Sequence, residues 1–178
     1  TLSSGHQWML DAGYPLRDIL PYVYPSEAEF AAADIQIVFL GWFLGDWSLV
    51  NNAGYACTHG LSIRAEGPDQ TGDLLGLSNL DEDWHNMNQM VKYLKFGVGK
   101  VTEYVNEAMR AGTMDRATAI DLVERYDGQC SPRYIRSFCE FIGIGEDRFW
   151  QHVHASTNRE LFDVGSDGSV SRRFRVGE

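Results

Sequence analysis

Cysteine is scarce in this chain. There are three, Cys57, Cys130 and Cys139, and no two show CxxC spacing. That argues against a disulfide framework or a structural zinc site, and it suits a reducing, cytoplasmic compartment. No stretch approaches the ~18 consecutive apolar residues of a membrane-spanning helix. No basic region followed by an apolar core opens the chain, so no signal peptide is visible. Positive charge is in deficit: 15 Lys and Arg stand against 25 Asp and Glu, for a net charge of −10. A nucleic-acid footprint needs a basic face, which this balance does not offer. A local basic pocket for phosphates stays open. Internal repeats and low-complexity tracts are also missing.

What is present is globular. Apolar residues make up 44% and charged residues 22% of 178 positions, a composition that can bury a core. The length suits one domain or a large piece of a bigger one. The first residue is Thr1 instead of Met, which reads as a processed chain, a fragment, or part of something longer. A Thr1 nucleophile finds no supporting groups nearby.

Hydrophobic periodicity sets out the elements. Ser26 followed by Glu27 and Glu29 predicts a helix start, running to about Ala33. Ile35-Gln36-Ile37-Val38-Phe39-Leu40 is the strongest strand pattern, and its near-continuous apolarity predicts a buried parallel strand. A helix is expected over 47–58, an exposed loop over 65–82, and a helix from about Asp83 to Leu94. Val101, Val105, Ala108 and Met109 share one face of a further helix that stops at Gly112. Asp115 caps the next, which turns Ala119, Leu122, Val123 and Tyr126 inward. Ser131-Pro132 opens another, with Ile135, Phe138, Cys139 and Ile142 apolar and Gly143 as its end. Glu146 and Asp147 begin the last. The tail alternates around Asp167-Gly168, the signature of a terminal hairpin. One parallel-type strand and several helices leave a sheet without partners, which suggests the C-terminal half of an α/β protein.

Two segments can carry chemistry. Lys95 and Lys100 flank Gly97 and Gly99 at a helix start. Glycine permits close backbone approach, and free amides at a helix N-terminus favour an anion such as phosphate. The same pattern also serves as a plain joint between helices. Gly41 to Asp46 follows the predicted strand, where open α/β sheets bind ligands. Asp46, Trp47, Ser48 and Asn51 are therefore site candidates; the alternative is a capping Asp46 and core Trp42 and Trp47. His152 and His154 fall at i and i+2 of a predicted helix and do not face together, so no metal site is expected there. Asp81, Glu82 and Asp83 read as a solvated turn.

Several segments occur together and in order. They are Asp18-Ile19-Leu20-Pro21-Tyr22-Val23-Tyr24-Pro25-Ser26, Phe39-Leu40-Gly41 and Ser78-Asn79-Leu80-Asp81. Then come Leu94-Lys95-Phe96-Gly97-Val98-Gly99-Lys100-Val101-Thr102, the run from Met109 to Arg116, and Leu122-Val123-Glu124-Arg125-Tyr126-Asp127-Gly128. Across roughly 15–163 the chain resembles the C-terminal half of the N-acetyl sugar amidotransferase family of lipopolysaccharide and flagellin sugar biosynthesis. The resemblance implies the end of a Rossmann-like nucleotide-binding domain of the ATP-pyrophosphatase (HUP) type over 1–60. A mainly helical region with a terminal hairpin would follow over 61–178. It also implies conversion of a sugar acetamido group to an acetamidino group, with ATP and Mg as cofactors. The implied partners are a sugar or nucleotide-sugar substrate, a glutaminase that supplies ammonia, and the N-terminal half of the same protein. Neither nucleic acid nor membrane is among them.

In that family an SGGKDS-type phosphate loop and a cysteine cluster precede this region, and this sequence contains neither. The resemblance implies Lys95 and Lys100 as catalytic phosphate contacts, and Gly41, Gly97 and Gly99 as cofactor-binding. The substrate candidates are Asp46, Trp47 and Asn51 after the predicted strand, Arg110 at a matching position, and Asn79 and Asp81, whose alternative is to cap the next helix. Two positions depart from the family: Ser48 stands where an acid is usual, and Lys100 where Arg is common, so a bidentate phosphate contact is weakened. The rival readings are a non-catalytic binding or oligomerisation module, and a related ATP-dependent amide- or carboxylate-activating enzyme of specialised metabolism.

Overall fold

The computed structural model describes residues 5–45 and 47–178. The chain divides into two compact units, one ending at Ser48 and the other running from Leu49 to Glu178.

The first unit is built from short pieces: α1 (Gln7–Asp11), α2 (Leu16–Ile19) and α3 (Glu27–Ala32), with 3₁₀ turns at Leu20–Tyr22 and Leu40–Phe43. The expected start at Ser26 is present as a reciprocal capping box. Ser26 Oγ accepts from the Glu29 amide at 3.3 Å, and the Glu29 carboxylate accepts from the Ser26 amide at 2.9 Å. The strand predicted over 35–40 does not form. Residues 35–39 lie outside any ladder, and Leu40 opens a 3₁₀ turn. The physical reason is pairing: a fully apolar strand needs neighbours on both edges and layers on both faces. Among the described residues the only sheet is an antiparallel pair at the other end of the chain. No Rossmann-like sheet is therefore present among them, and the architecture is mainly helical.

The second unit follows its periodicity closely. It contains α4 (Leu49–Thr58), α5 (Pro68–Thr71), α6 (Trp84–Phe96), α7 (Lys100–Arg110), α8 (Arg116–Tyr126), α9 (Pro132–Ile142) and α10 (Glu146–Ser156). The hairpin pairs β1 (Phe162–Val164) with β2 (Val170–Arg172), Asp163 opposite Ser171. Two apolar clusters hold the unit. Met87, Met90, Tyr93 and Leu94 of α6 pack on Tyr134, Ile135 and Cys139 of α9, with Phe149 and Val153 of α10 and Phe162 of β1. Val101 and Val105 of α7 pack on Ala119 and Val123 of α8. Asp115 caps α8 through the Thr118 amide at 3.0 Å. Gly143 ends α9 in the left-handed region, as predicted.

The 65–82 stretch is not an exposed loop. Thr71, Asp73 and Ser78 are buried within it. Asp73 organises it from inside: its carboxylate accepts from the amides of Leu75 at 3.1 Å and Ser78 at 2.9 Å. A run rich in Gly, Asp and Ser hides this outcome, because turn residues satisfied by one buried carboxylate look solvated in sequence.

Candidate functional site

The joint between α6 and α7 is where the sequence concentrates chemistry. Gly97 closes α6 with φ of 74°, a backbone that costs glycine nothing. Gly99 then precedes Lys100, the first residue of α7. The free amides at this helix start already have an anion. Asp127, buried at the end of α8, accepts from the Gly99 amide at 2.9 Å, the Val101 amide at 3.0 Å and the Thr102 hydroxyl at 2.6 Å. A Cβ at Gly99 would run into the Asp127 carboxylate. The glycine thus admits an anion to the helix dipole, and that anion belongs to the chain itself. A phosphate has no unclaimed amides to take at Gly99 or Val101.

The lysines differ from the amides. Lys100 Nζ lies 3.1 Å from Glu103 and 5.0 Å from the centre of the Tyr104 ring. Lys92, one turn before Lys95 on α6, reaches the same Glu103 at 2.5 Å. Burial alone raises the Glu103 carboxyl, but hydrogen bonds from the two ammonium groups outweigh it and hold the pKa below the ordinary carboxylate value. One carboxylate therefore links two cations. Lys95 is exposed, its ammonium 5.7 Å from the Phe96 ring centre. Lys92 and Lys100 against one glutamate make a local cationic rim in a strongly acidic protein, with Lys95 three residues on from Lys92 along α6, and Lys92 is the member that reading the sequence missed. Its i−3 spacing from Lys95 was the available signal.

A polar shelf stands beside the joint. Arg64, with its side chain largely buried, pairs with Asp83 and donates to the carbonyls of Asn79 at 2.6 Å and Glu82 at 3.0 Å. Asn79 presents that carbonyl from a left-handed backbone, φ 43°. Ser78 Oγ lies 3.1 Å from the Tyr104 hydroxyl, whose pKa burial pushes up to about 12. His85 is held below its ordinary pKa, first by burial, then by Lys100 and Arg64, against Glu82 and Asp73. The Nε2 of His85, the Nδ2 of Asn86 and the Oε1 of Gln89 are buried on α6 with no hydrogen-bond partner. Asn79 is the one member of this shelf that was a candidate from the sequence; Arg64, Ser78, Tyr104, His85, Asn86 and Gln89 were not, because their surroundings come from distant segments.

The remaining candidates scatter. Arg110 ends α7 and is exposed, some 15 Å of helix away from Lys100. Asp81 is exposed in the turn before α6. Trp47 packs its indole on Gly41, where a Cβ would lie 2.8 Å from the ring, and with Val38 to Trp42 the two line an open apolar hollow. Trp42 and Trp47 are exposed, so neither is a core residue. Asp46 lies outside the described residues. Asn51 sits on α4 in the second unit, while Gly41 and Trp47 belong to the first.

A divalent cation needs several converging hard donors. No three His, Cys, Asp or Glu side chains come together among the described residues. The Gly99 and Val101 amides are taken by Asp127, whereas the lysine rim fits an anion. Cys130 and Cys139 are poor nucleophiles: burial raises both thiols, Cys130 to about 12. No helix among the described residues is long and apolar enough to cross a membrane.

Comparison with curated proteins finds no match. A family model does match: the LPS biosynthesis protein WbpG-like, C-terminal domain, over residues 78–173. That span holds the glycine joint, the lysine rim, Asp127 and the hairpin, and it is more than half of the chain, which therefore belongs to the WbpG-like C-terminal domain family of LPS biosynthesis proteins.

Proposed function

We propose that the protein works in lipopolysaccharide sugar biosynthesis as the C-terminal half of an ATP-dependent amidotransferase. The supporting observation is the family match over 78–173, which covers the lysine and glycine motif of the sequence resemblance. The reaction turns a sugar acetamido group into an acetamidino group. When bound, ATP supplies an adenylyl group, so that the amide oxygen leaves as part of AMP, pyrophosphate is released, and ammonia nitrogen takes the oxygen's place. In this reading the N-terminal half of the same protein carries the phosphate loop and a glutaminase partner delivers the ammonia. This chain contributes cations. Lys100, oriented by Glu103 and the Tyr104 ring, and Lys95 meet negative charge at the rim. Lys92 keeps Glu103 from neutralising Lys100 alone.

The test uses the intact protein with an acetamido nucleotide sugar, ATP, Mg and ammonia. Sugar-dependent pyrophosphate release is expected, with a product in which NH replaces the amide oxygen by mass. Lys100→Ala should lower the rate by about 10²-fold and Lys95→Ala less, as expected for removing one charge-stabilising contact. No sugar-dependent pyrophosphate release from any acetamido sugar sinks the reading. A second reading, a non-catalytic binding module, draws on the occupation of the α7 amides by Asp127. Retention of a protein partner by a Lys95→Ala, Lys100→Ala variant, with no rate lost, would favour it.

A further inference from the structure

A cavity of about 530 Å³ opens in the second unit. That volume is in the range of small-molecule sites. Its walls come from α6, the end of α8 and the residues after it, α10, and the hairpin. Three features define its chemistry.

The first is an aromatic wall. Trp150 lines the cavity, and its ring is held by two neighbouring rings. His154 stacks on it at 5.4 Å with planes 29° apart, and Phe149 meets it edge-on at 5.4 Å. A ring fixed in this way binds another ring with little ordering cost.

The second is a cation. Arg172 lines the cavity from β2, donates to the Glu124 carbonyl at 3.1 Å and interacts with the Tyr93 hydroxyl. Among the described residues no carboxylate lies within ion-pair distance of it. Asp127 is at the same wall, but its oxygens are committed to Gly99, Val101 and Thr102. A half-buried guanidinium without a counter-ion favours an anionic ligand group.

The third is the mixture of the lining. Apolar Met90, Leu94 and Val170 line it together with Gln129, Ser171 and Glu124. A sugar has an apolar C–H face and hydroxyls on every edge, and this lining offers both.

We propose that this cavity binds a sugar bearing an anionic group, with the ring against Trp150 and the anion on Arg172. The identification of a sugar rests on the proposed role in sugar biosynthesis; the cavity and its unpaired cation do not. Phosphate and carboxylate are both anions that Arg172 can take, and separate probes distinguish them.

The experiment is calorimetry on the intact protein with four probes: N-acetylglucosamine 1-phosphate, glucuronic acid, neutral N-acetylglucosamine and inorganic phosphate. At least one anionic sugar should bind about tenfold or more tighter than both neutral sugar and inorganic phosphate. The tighter of the two names the anion. Arg172→Gln should bring that ligand down to the level of the neutral sugar, and Arg172→Lys should restore part of the difference. Because Arg172 also braces Glu124, a second variant guards against a folding artefact. Ser171→Trp changes an exposed strand residue that lines the cavity, and should abolish binding with the thermal midpoint unchanged. Equal binding of charged and neutral sugars, no binding of any sugar, or unimpaired binding by Ser171→Trp overturns the proposal. Binding is read without turnover, so failure of the amidotransferase reaction leaves the result standing. An enzyme that aminates sugars with an unchanged KM in Ser171→Trp would remove the cavity and keep the reaction.

Discussion

The residues before Leu49 and those after it are both rich in large apolar side chains, yet only one group buries them. In the first unit Ile19 is the one described hydrophobic residue counted in a core, while Ile37, Phe39, Leu40, Trp42 and Phe43 are each more than two-thirds exposed. In the second unit Val101 is fully buried and Phe162, Tyr134 and Ile135 nearly so. The difference is in spacing. Apolar residues at helical spacing form a stripe that two helices can bury between them, which is what α6 does with α9 and α7 with α8. A continuous apolar run has no polar face. It is satisfied only by strands beside it and layers above and below, and the described residues supply no strand to pair with 35–40. Such an exposed patch is a surface in need of a partner, which agrees with the proposed N-terminal half.

The largest test of this contrast is Phe162→Ala. Phe162 is buried against the rings of Tyr93 and Phe174 at 5.2 and 5.8 Å. Its truncation should cost about 3–5 kcal/mol in chemical denaturation. A loss below about 1 kcal/mol would mean that the hairpin is not part of the core.

Asp127→Ala comes next. It strips three hydrogen bonds from one buried carboxylate and orphans the Gly99 and Val101 amides. About 2–3 kcal/mol of stability should go, with hydrogen exchange at the start of α7 accelerated most. If the start of α7 stays protected, another anion is binding there, and the phosphate reading of the joint gains.

The third effect depends on pH. His85 has its pKa lowered on folding, so the unfolded chain binds the proton more readily. Stability is then complete above the unfolded value of about 6.5 and falls as pH drops below it toward the folded pKa. His85→Gln should flatten that part of the stability profile. A profile equally steep in the variant would place the proton elsewhere.

These three sites show how much the sequence disclosed. The helices from Trp84 onward, the Asp115 cap and the Asp-Gly hairpin were legible because each is local: a period, a cap, a turn. The glycine joint was legible as a place where an anion approaches backbone. Its occupant was not, because Asp127 lies 28 positions away from Gly99 and only tertiary structure joins them. Arg64, Asp73 and His85 were invisible for the same reason. The misread strand failed differently. Ile35 to Leu40 has all the propensity of a strand, but a strand exists only as a pair, and propensity says nothing about whether the partner is at hand.

The smallest expected effect is the sharpest for the comparison. Phe39→Ser and Trp42→Ser replace two of the most exposed apolar side chains in the first unit. An exposed side chain has little contact to lose, so each change should shift the unfolding free energy of the chain by no more than about 0.5 kcal/mol. The same two changes remove apolar area from water, so self-association measured by sedimentation should fall while the melting curve stays put. That pairing separates two explanations of the exposed run. If the segment is an interface, solubility improves and binding to the N-terminal half weakens. If either substitution instead costs several kcal/mol within this chain alone, residues 35–43 are packed in solution, and the contrast between the two units disappears.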